Sequence, residues 1–302
     1  MRLSICIPVY NHDIRPLAGA LIRQMGTVGD VVGLICIDDG SEDRYRLLNR
    51  ELCGSCTYVE LEANVGRSRI RNLFVEKTEE ECDFLLFMDC DLMTADEHFL
   101  DRYVEAARDG ADVVVGGHVY PTHCADKECL LQYRNGVSRE VRTAEQRNRD
   151  PYRSFMTGNF MIRRELLKRI PFDEKIEGYG HEDTLMGYRL KQAGAKVVHI
   201  DNPLVAESLE TNERYLAKTR SAVANLVKIS ERIADPEFDR QVTLLRWERR
   251  LEKTGLAGIM RRLLGMTQKR REQTLLKAEG GNVRLLMYKM VLCLEERHRC
   301  RQ

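Results

Sequence analysis

Three stretches of this 302-residue chain gather acidic side chains at the ends of apolar or glycine-bearing runs. The run from Phe84 to Met88 ends in Asp89-Cys90-Asp91, the run from Val31 to Ile37 ends in Asp38-Asp39-Gly40-Ser41, and Gly178-Tyr179-Gly180-His181 leads into Glu182-Asp183. Two ionised carboxylates one residue apart repel each other, and a divalent cation shared with a polyphosphate relieves the repulsion. Oxygen donors of this kind suit Mn²⁺ or Mg²⁺. Alone, such a pair reads better as a solvated strand end with Asp91 capping the next element.

An ionised Asp only accepts hydrogen bonds, so Asp38 and Asp39 suit the donors of a nucleoside, whereas a turn with an Asp cap accounts for Gly40, Ser41 and one of the two acids. Asp183 has two readings. As an N-cap it satisfies orphan amides; beside Glu182 and the glycines it is a base presented towards a cleft, and a helix N-terminus favours its ionised form.

The elements that must carry these acids are set by periodicity. Leu3 to Val9 is a strand, Asp13 to Met25 a helix and Val31 to Asp38 a second strand, which together form a βαβ unit. A continuous apolar run such as 84–88 suits a parallel strand covered on both faces, and open α/β sheets bind ligands beyond the carboxyl ends of such strands. The turn after the first strand, Pro8-Val9-Tyr10-Asn11-His12-Asp13, has no glycine before Gly19, which argues against a dinucleotide-binding enzyme. A short strand at Tyr58 to Leu61 leads to Asn64-Val65-Gly66 and a helix from Ser68 to Thr78, with Arg67 and Arg71 one turn apart.

Further helices are expected at His98 to Arg108, after Asp183 with Leu185, Tyr188, Leu190 and Ala193 buried, and from Thr211 onward. Further strands are expected at 112–117, at 154–162 with Gly158 at a close approach, and at 197–203 as a final edge strand ended by Pro203. Residues 121–153 are polar and weakly patterned, as either a mobile loop over a site or plain surface would be.

The overall charge is +1, but its distribution is uneven. Residues 226–302 hold 18 Lys and Arg against 10 Asp and Glu, which leaves 30 against 37 for the rest. Two domains are expected, a catalytic one over 1–225 and a helical, basic appendage over 226–302. The start of the chain has no secretory signal and no run approaches a membrane span, which implies a cytoplasmic protein. The ten cysteines are scattered, several within apolar runs (Cys6, Cys36, Cys90, Cys293), and Cys53-x-x-Cys56 has no partner pair at zinc spacing, so the thiols are read as free. The basic stretch 261–271 either lies on an anionic membrane at the inner face or belongs to a helical appendage packed by Leu244, Leu245, Trp247 and Leu251. Nucleic acid is not expected, because the cations are not interleaved with an aromatic platform.

Taken in order, Ser4-Ile-Cys-Ile-Pro8-Val-Tyr10-Asn11, Asp38-Asp39-Gly40-Ser41, Asn64-x-Gly66-x5-Asn72, Asp89-x-Asp91 and Glu182-Asp183 resemble the family 2 inverting glycosyltransferases of bacterial polysaccharide and glycoconjugate synthesis. The resemblance covers roughly residues 1–220. It implies an α/β class, the GT-A fold with a mixed, mostly parallel central sheet, followed by a helical C-terminal extension. It further implies a nucleotide-sugar donor, UDP-linked, held by Pro8, Tyr10, Asn11, Asp38, Asp39, Asn64, Gly66, Arg71, Asp89 and Cys90.

By the same resemblance Asp91 and Asp89 hold Mn²⁺ or Mg²⁺, Asp183 with Glu182 supplies the base, and the acceptor is a saccharide or lipid-linked saccharide. The segment 285–290 is similar to the terminal helix of a bacterial subgroup. Many relatives carry a metal-binding histidine just past an Asn-Pro like Asn202-Pro203. Here that place falls on Ala206, followed by Glu207, so His199 or Glu207 is the candidate third ligand. The alternative that Ala206 raises is a binding module without turnover, whose basic tail contacts a membrane or a partner.

Overall fold

The computed structural model describes residues 1–279 and 281–302. In chain order the structure opens with β1 (Leu3–Val9), α1 (Arg15–Met25), β2 (Val31–Asp38), α2 (Asp43–Asn49), β3 (Thr57–Glu60), α3 (Arg67–Lys77) and β4 (Phe84–Met88). It continues with β5 (Leu92–Thr94), α4 (Phe99–Arg108), β6 (Val113–Val115), β7 (His118–Val119), α5 (Leu130–Arg139), α6 (Ala144–Asn148), β8 (Asn159–Arg163) and α7 (Arg164–Arg169). Then come α8 (Glu182–Gln192), β9 (Val197–His199), β10 (Leu204–Ala206) and the helices α9 (Asn212–Ile233), α10 (Pro236–Gln241), α11 (Thr243–Lys253), α12 (Ala257–Gly265), α13 (Gln268–Leu276) and α14 (Asn282–Cys300). The chain divides into two compact units. One comprises Met1–Pro121, Glu140–Lys175 and Glu182–Ser208; the other comprises Thr122–Arg139, Ile176–His181 and Leu209–Gln302.

The first unit is an α/β layer structure. Its seven-stranded sheet runs β3-β2-β1-β4-β8-β6-β9, with β8 antiparallel to both of its neighbours and the other pairings parallel. Because successive side chains of a strand point to opposite faces, the apolar runs feed two cores. Leu3, Ile5 and Ile7 with Leu86 and Met88 meet Leu17 and Leu21 of α1 and Leu100 and Tyr103 of α4. Cys6, Ile35, Ile37, Leu85 and Phe87 meet Phe74 of α3 and Met186 and Leu190 of α8 on the other face. Strands buried on both faces need unbroken apolar sequence, as these have. The parallel strands β1 to β4 therefore end on one edge, and residues 10–12, 38–41, 61–66 and 89–91 converge there.

Several elements differ from the sequence-based expectation. Residues 121–153 contain two helices. The second is closed by a capping box in which the Thr143 hydroxyl accepts the Gln146 amide and the Gln146 side chain accepts from the Thr143 amide. These helices bury few residues, Leu131 and Gly136 on α5 and Ala144 and Arg147 on α6, which is why their apolar period is faint. The strand expected from Ser154 begins only at Asn159, because residues 154–158 form the loop that meets Asp89. β9 is an edge strand but not the last: β10 follows Pro203 and joins a three-stranded sheet ordered β5-β10-β7. Strands of two and three residues carry too little sequence for a period to register. On α8, Met186 and Gly187 join Leu185 and Leu190 in the buried face, while Tyr188 is half-buried and Ala193 lies beyond the helix, exposed.

The second unit is helical. α9, 22 residues long, is capped by the Thr211 hydroxyl and packs along α14. Leu131, Leu216, Leu275, Leu285 and Tyr288 form one apolar cluster. At the other end Arg297 of α14, 2 % exposed, meets Glu231 of α9 at 2.5 Å and the fully buried Glu248 of α11 at 3.2 Å. Leu244 and Leu245 are buried as expected of packing anchors, but Trp247 is half exposed with the Arg250 guanidinium over its ring. All ten cysteines are unpaired. No helix among the described residues is long and apolar enough to cross a membrane.

Candidate active site

The site is built from the strand ends of the first unit. The Asp39 amide donates to the Val9 carbonyl at 2.8 Å, which ties the turn after β2 to the end of β1. Asn11, in the left-handed region at φ 49°, completes the tie: its amide donates to Ser41 Oγ and its Oδ1 accepts the Glu42 amide, both at 2.8 Å. Gly40 has φ 75°, and a Cβ there would lie 2.6 Å from the Asn64 amide nitrogen, so only glycine lets this turn seat against the 63–66 loop.

Asp39 accepts the amides of Val65 at 2.6 Å and Gly66 at 3.2 Å. Burial raises its pKa, and those two amides oppose the rise only in part. Asp38 is fully buried, and its oxygens are taken by the Ser41 amide (2.7 Å), the Tyr58 hydroxyl (3.1 Å) and the Arg46 guanidinium (3.6 Å). Both acids are buried with both oxygens engaged: Asp38 serves the turn itself, and Asp39 holds the 65–66 amides. The same edge exposes Tyr10 and Asn64, with Pro8 half-buried at the end of β1.

Asp89 and Asp91 come directly after β4. The Asp89 amide donates to the Gly158 carbonyl at 3.0 Å, and a Cβ on Gly158 would stand 3.2 Å from Asp89 Oδ2. The glycine that interrupts the sequence before β8 therefore leaves room for this carboxylate. Asp89 Oδ1 accepts from Arg71 at 2.7 Å, and its Oδ2 lies 3.6 Å from Arg67. Asp91 has no cation within ion-pair distance among the described residues. It stays exposed, yet the protein around it and the neighbouring Asp89 raise its pKa. An unpaired carboxylate made costly to ionise by a second one is the donor set that a divalent cation stabilises, so the residues fit Mn²⁺ or Mg²⁺. Cys90 between them is half-buried, and burial pushes its thiol up to about 12, so it is a neutral neighbour rather than a ligand.

Two arginines of α3 join this edge to α8. Arg67 Nε donates to Glu182 Oε1 at 2.6 Å while its other end faces Asp89. Arg71, 1 % exposed, holds Asp89 and the Arg67 carbonyl (3.0 Å), so it orients Asp89 and has no surface for the nucleotide sugar that sequence reasoning assigned to it. Burial of Glu182 would raise its pKa, but Arg67 and Arg71 prevail and hold it at about 2.

Asp183, the second residue of α8 rather than its cap, accepts the Thr184 amide at 2.6 Å. Burial, then Glu182 beside it, raise it to about 6, opposite to the direction expected from the helix N-terminus. Desolvation and a fixed neighbouring charge outweigh the partial charge of a helix end here. Two adjacent acids are thus driven apart, one a fixed anion and one titrating near neutrality, which is the environment of a general base.

The region past Pro203 returns to the same place. Ala206 of β10 pairs with Leu92 of β5, and its side chain is buried, so a ligand cannot project from it. Glu207, exposed, donates its amide to the Asp91 carbonyl at 3.3 Å. His199 is not near: it sits on the edge strand, three strands from β4 and so about 14 Å across the sheet. Both of its ring nitrogens are engaged, Nδ1 by Arg147 at 3.2 Å and Nε2 with the Pro151 carbonyl at 2.9 Å, and burial lowers it to about 4. It is a core histidine. Among the described residues no three His, Cys, Asp or Glu side chains are gathered for a metal.

The family comparison agrees with this geometry. The sequence model of glycosyl transferase family 2 matches residues 4–171, more than half of the chain. The chain belongs to glycosyl transferase family 2. A second model, described as the N-terminal domain of galactosyltransferase, matches residues 139–213, the stretch that contains Glu182 and Asp183.

Among solved structures, a mannosyltransferase from Pyrobaculum calidifontis in complex with GDP-Man and Mn²⁺ is similar with a TM-score of 0.61 at 13 % identity, over 100 % of this chain and 88 % of that one. Glucosyl-3-phosphoglycerate synthase from Mycobacterium tuberculosis, with Mg²⁺ and UDP, is similar with a TM-score of 0.53 at 19 % identity, over 75 % of this chain and 78 % of that one. S. aureus TarS is similar with a TM-score of 0.55 at 17 % identity, over 98 % of this chain but only 54 % of TarS. The likeness is one of fold, the GT-A fold of glycosyltransferases. No curated protein matches the chain.

Proposed function

We propose that this glycosyltransferase moves a sugar from a nucleotide-sugar donor, UDP-linked, to a hydroxyl of a saccharide or lipid-linked saccharide, with inversion and with a divalent cation on the diphosphate. The observation that carries the reading is the divided acid pair: Glu182 held near 2 and Asp183 near 6, joined through Arg67 to Asp89. Asp183 takes the proton of the attacking hydroxyl, while Glu182, ion-paired with Arg67, stays anionic and adds to the burial that keeps Asp183 basic. Arg71 fixes Asp89, and Asp91 with Asp89 would hold the cation, leaving its other positions to phosphate oxygens and water. Bound there, Mn²⁺ or Mg²⁺ supplies electrostatic stabilisation of the departing diphosphate.

Asp39, with its carboxylate anchored by the Val65 and Gly66 amides, and the exposed Tyr10 and Asn64 form the nucleoside end of the cleft. In this reading the first unit performs the transfer and the helical unit is the appendage, which takes in the whole of α9 rather than beginning at residue 226, inside that helix. The Mn²⁺- and Mg²⁺-bound neighbours support the choice of metal.

The test is metal-dependent release of nucleoside diphosphate from a panel of UDP- and GDP-sugars offered with saccharide acceptors. Asp183→Asn should lower turnover by about 10² to 10⁴ with diphosphate binding retained, whereas Asp91→Asn should chiefly abolish metal-dependent diphosphate binding. Equal effects of the two variants on binding would reverse the assigned roles. Metal-dependent diphosphate binding without turnover on any pair would favour the binding module that Ala206 suggests.

A further inference from the structure

The second unit carries a surface that the transfer reaction does not use. α12 is a nine-residue helix without a single buried residue, although its sequence is amphipathic. Leu256, Ile259, Leu263 and Met266 are 45, 57, 57 and 80 % exposed. At 100° per residue these four positions fall within an arc of about 80°, one unbroken apolar stripe. On α14, which packs beside α12, Val283 and Met287 are also exposed at 66 and 44 %. Single exposed apolar residues are ordinary, whereas a continuous set marks a face that something covers.

Charge indicates what covers it. From residue 256 to 271 there is no Asp or Glu, and five cations stand there: Arg261, Arg262, Lys269, Arg270 and Arg271. None of them meets a carboxylate among the described residues. Next to Met266 a groove of about 490 Å³ opens, lined by Thr267, Arg270, Arg271, Thr274, Arg284 and Met287 among others. It brings three guanidinium groups together. Arg271 is nine-tenths buried, and its side chain bonds only neutral acceptors, Thr267, Gln268 and the Leu264 carbonyl. Burial and the nearby Arg284 both disfavour its charge. Such a cluster is stable when an anion shares it.

A second copy of the chain docked through this face would set cations against cations, so self-association is disfavoured. A partner that is anionic at its surface and apolar just beneath it satisfies both features at once.

We propose that α12 and the α13–α14 groove form an interfacial membrane-docking surface, with the apolar stripe entering an anionic bilayer and a lipid phosphate seated among Arg270, Arg271 and Arg284. Since no helix among the described residues spans a bilayer, the attachment is peripheral, reversible and sensitive to salt. This surface stands apart from the transfer chemistry, and its test reads binding alone.

The full chain is floated with vesicles of phosphatidylcholine and of phosphatidylcholine mixed with phosphatidylglycerol, at low and at molar salt. Binding is expected only to the anionic vesicles at low salt. Ile259→Ser with Leu263→Ser, and separately Arg270→Glu with Arg284→Glu, should each weaken it by about tenfold or more with the melting midpoint unchanged. Inorganic phosphate should compete only weakly, since it supplies the charge without the acyl chains. Absence of binding by the unaltered chain, binding unaffected by either double variant, or self-association lost in the same variants with no lipid bound would each overturn the proposal.

Discussion

Asp183 and Glu182 share one backbone and one helix start, and Arg67 donates a hydrogen bond to Glu182. That contact helps hold Glu182 at about 2, and burial, with the Glu182 charge second, lifts Asp183 to about 6. Turnover that needs ionised Asp183 should therefore rise with pH through about 6, and Arg67→Gln should shift that profile by changing Glu182, a measurement separable from loss of folding.

The stability signs are opposite for the two acids. Asp183 binds its proton more tightly folded than unfolded, so its contribution falls as pH rises from its ordinary 3.8 through about 6, and it burdens the fold at neutral pH. Glu182 is depressed to about 2, so its contribution is present above its ordinary 4.5 and is lost as pH falls towards 2. Asp183→Asn should accordingly raise the melting midpoint by a few degrees at pH 7 while lowering turnover, and a variant that loses both stability and turnover would mean the acid is structural.

At the scale of elements, the site depends on turns that only particular residues can make. Gly40 is the sharpest case: an alanine there meets both an unfavourable φ of 75° and the backbone of Ala63 and Asn64. Gly40→Ala should destabilise by about 2 kcal/mol or more and weaken nucleotide binding in the same step, which urea unfolding and diphosphate titration would show together. Much of this level is legible in the sequence. Apolar runs in β1, β2 and β4 are long and unbroken because both faces are covered, and they locate the edge where the acids collect. The short strands β5, β7 and β10 leave no such trace, nor do the sparsely buried helices α5 and α6.

On the scale of the whole molecule, the helical unit is stapled by one buried cation. Arg297 links α14 to Glu231 of α9 and Glu248 of α11, and Glu248 has no exposure at all. Arg297→Ala should cost about 3 kcal/mol, because it leaves the buried Glu248 with only Arg249, 3.9 Å away, as a counter-charge. Glu248→Gln in the same background should recover part of that loss, and chemical denaturation of the two variants would check both.

By itself the amino-acid order determined the class of fold, the family and the positions of the acids, since strand burial and turn chemistry are local properties written in residue type and spacing. What each acid touches was decided only by tertiary structure. Asp38 and Asp39 look alike in sequence, but one is enclosed by Ser41, Tyr58 and Arg46 while the other faces the 65–66 amides. His199 and Glu207 were equal candidates until the sheet order put one three strands away and returned the other to Asp91. Arg67 and Arg71 looked like a basic face until the fold brought Glu182, 115 residues away in sequence from Arg67, against it. Partners so distant along the chain leave no period and no spacing to read; only the folded arrangement of strands and helices fixes which charge meets which.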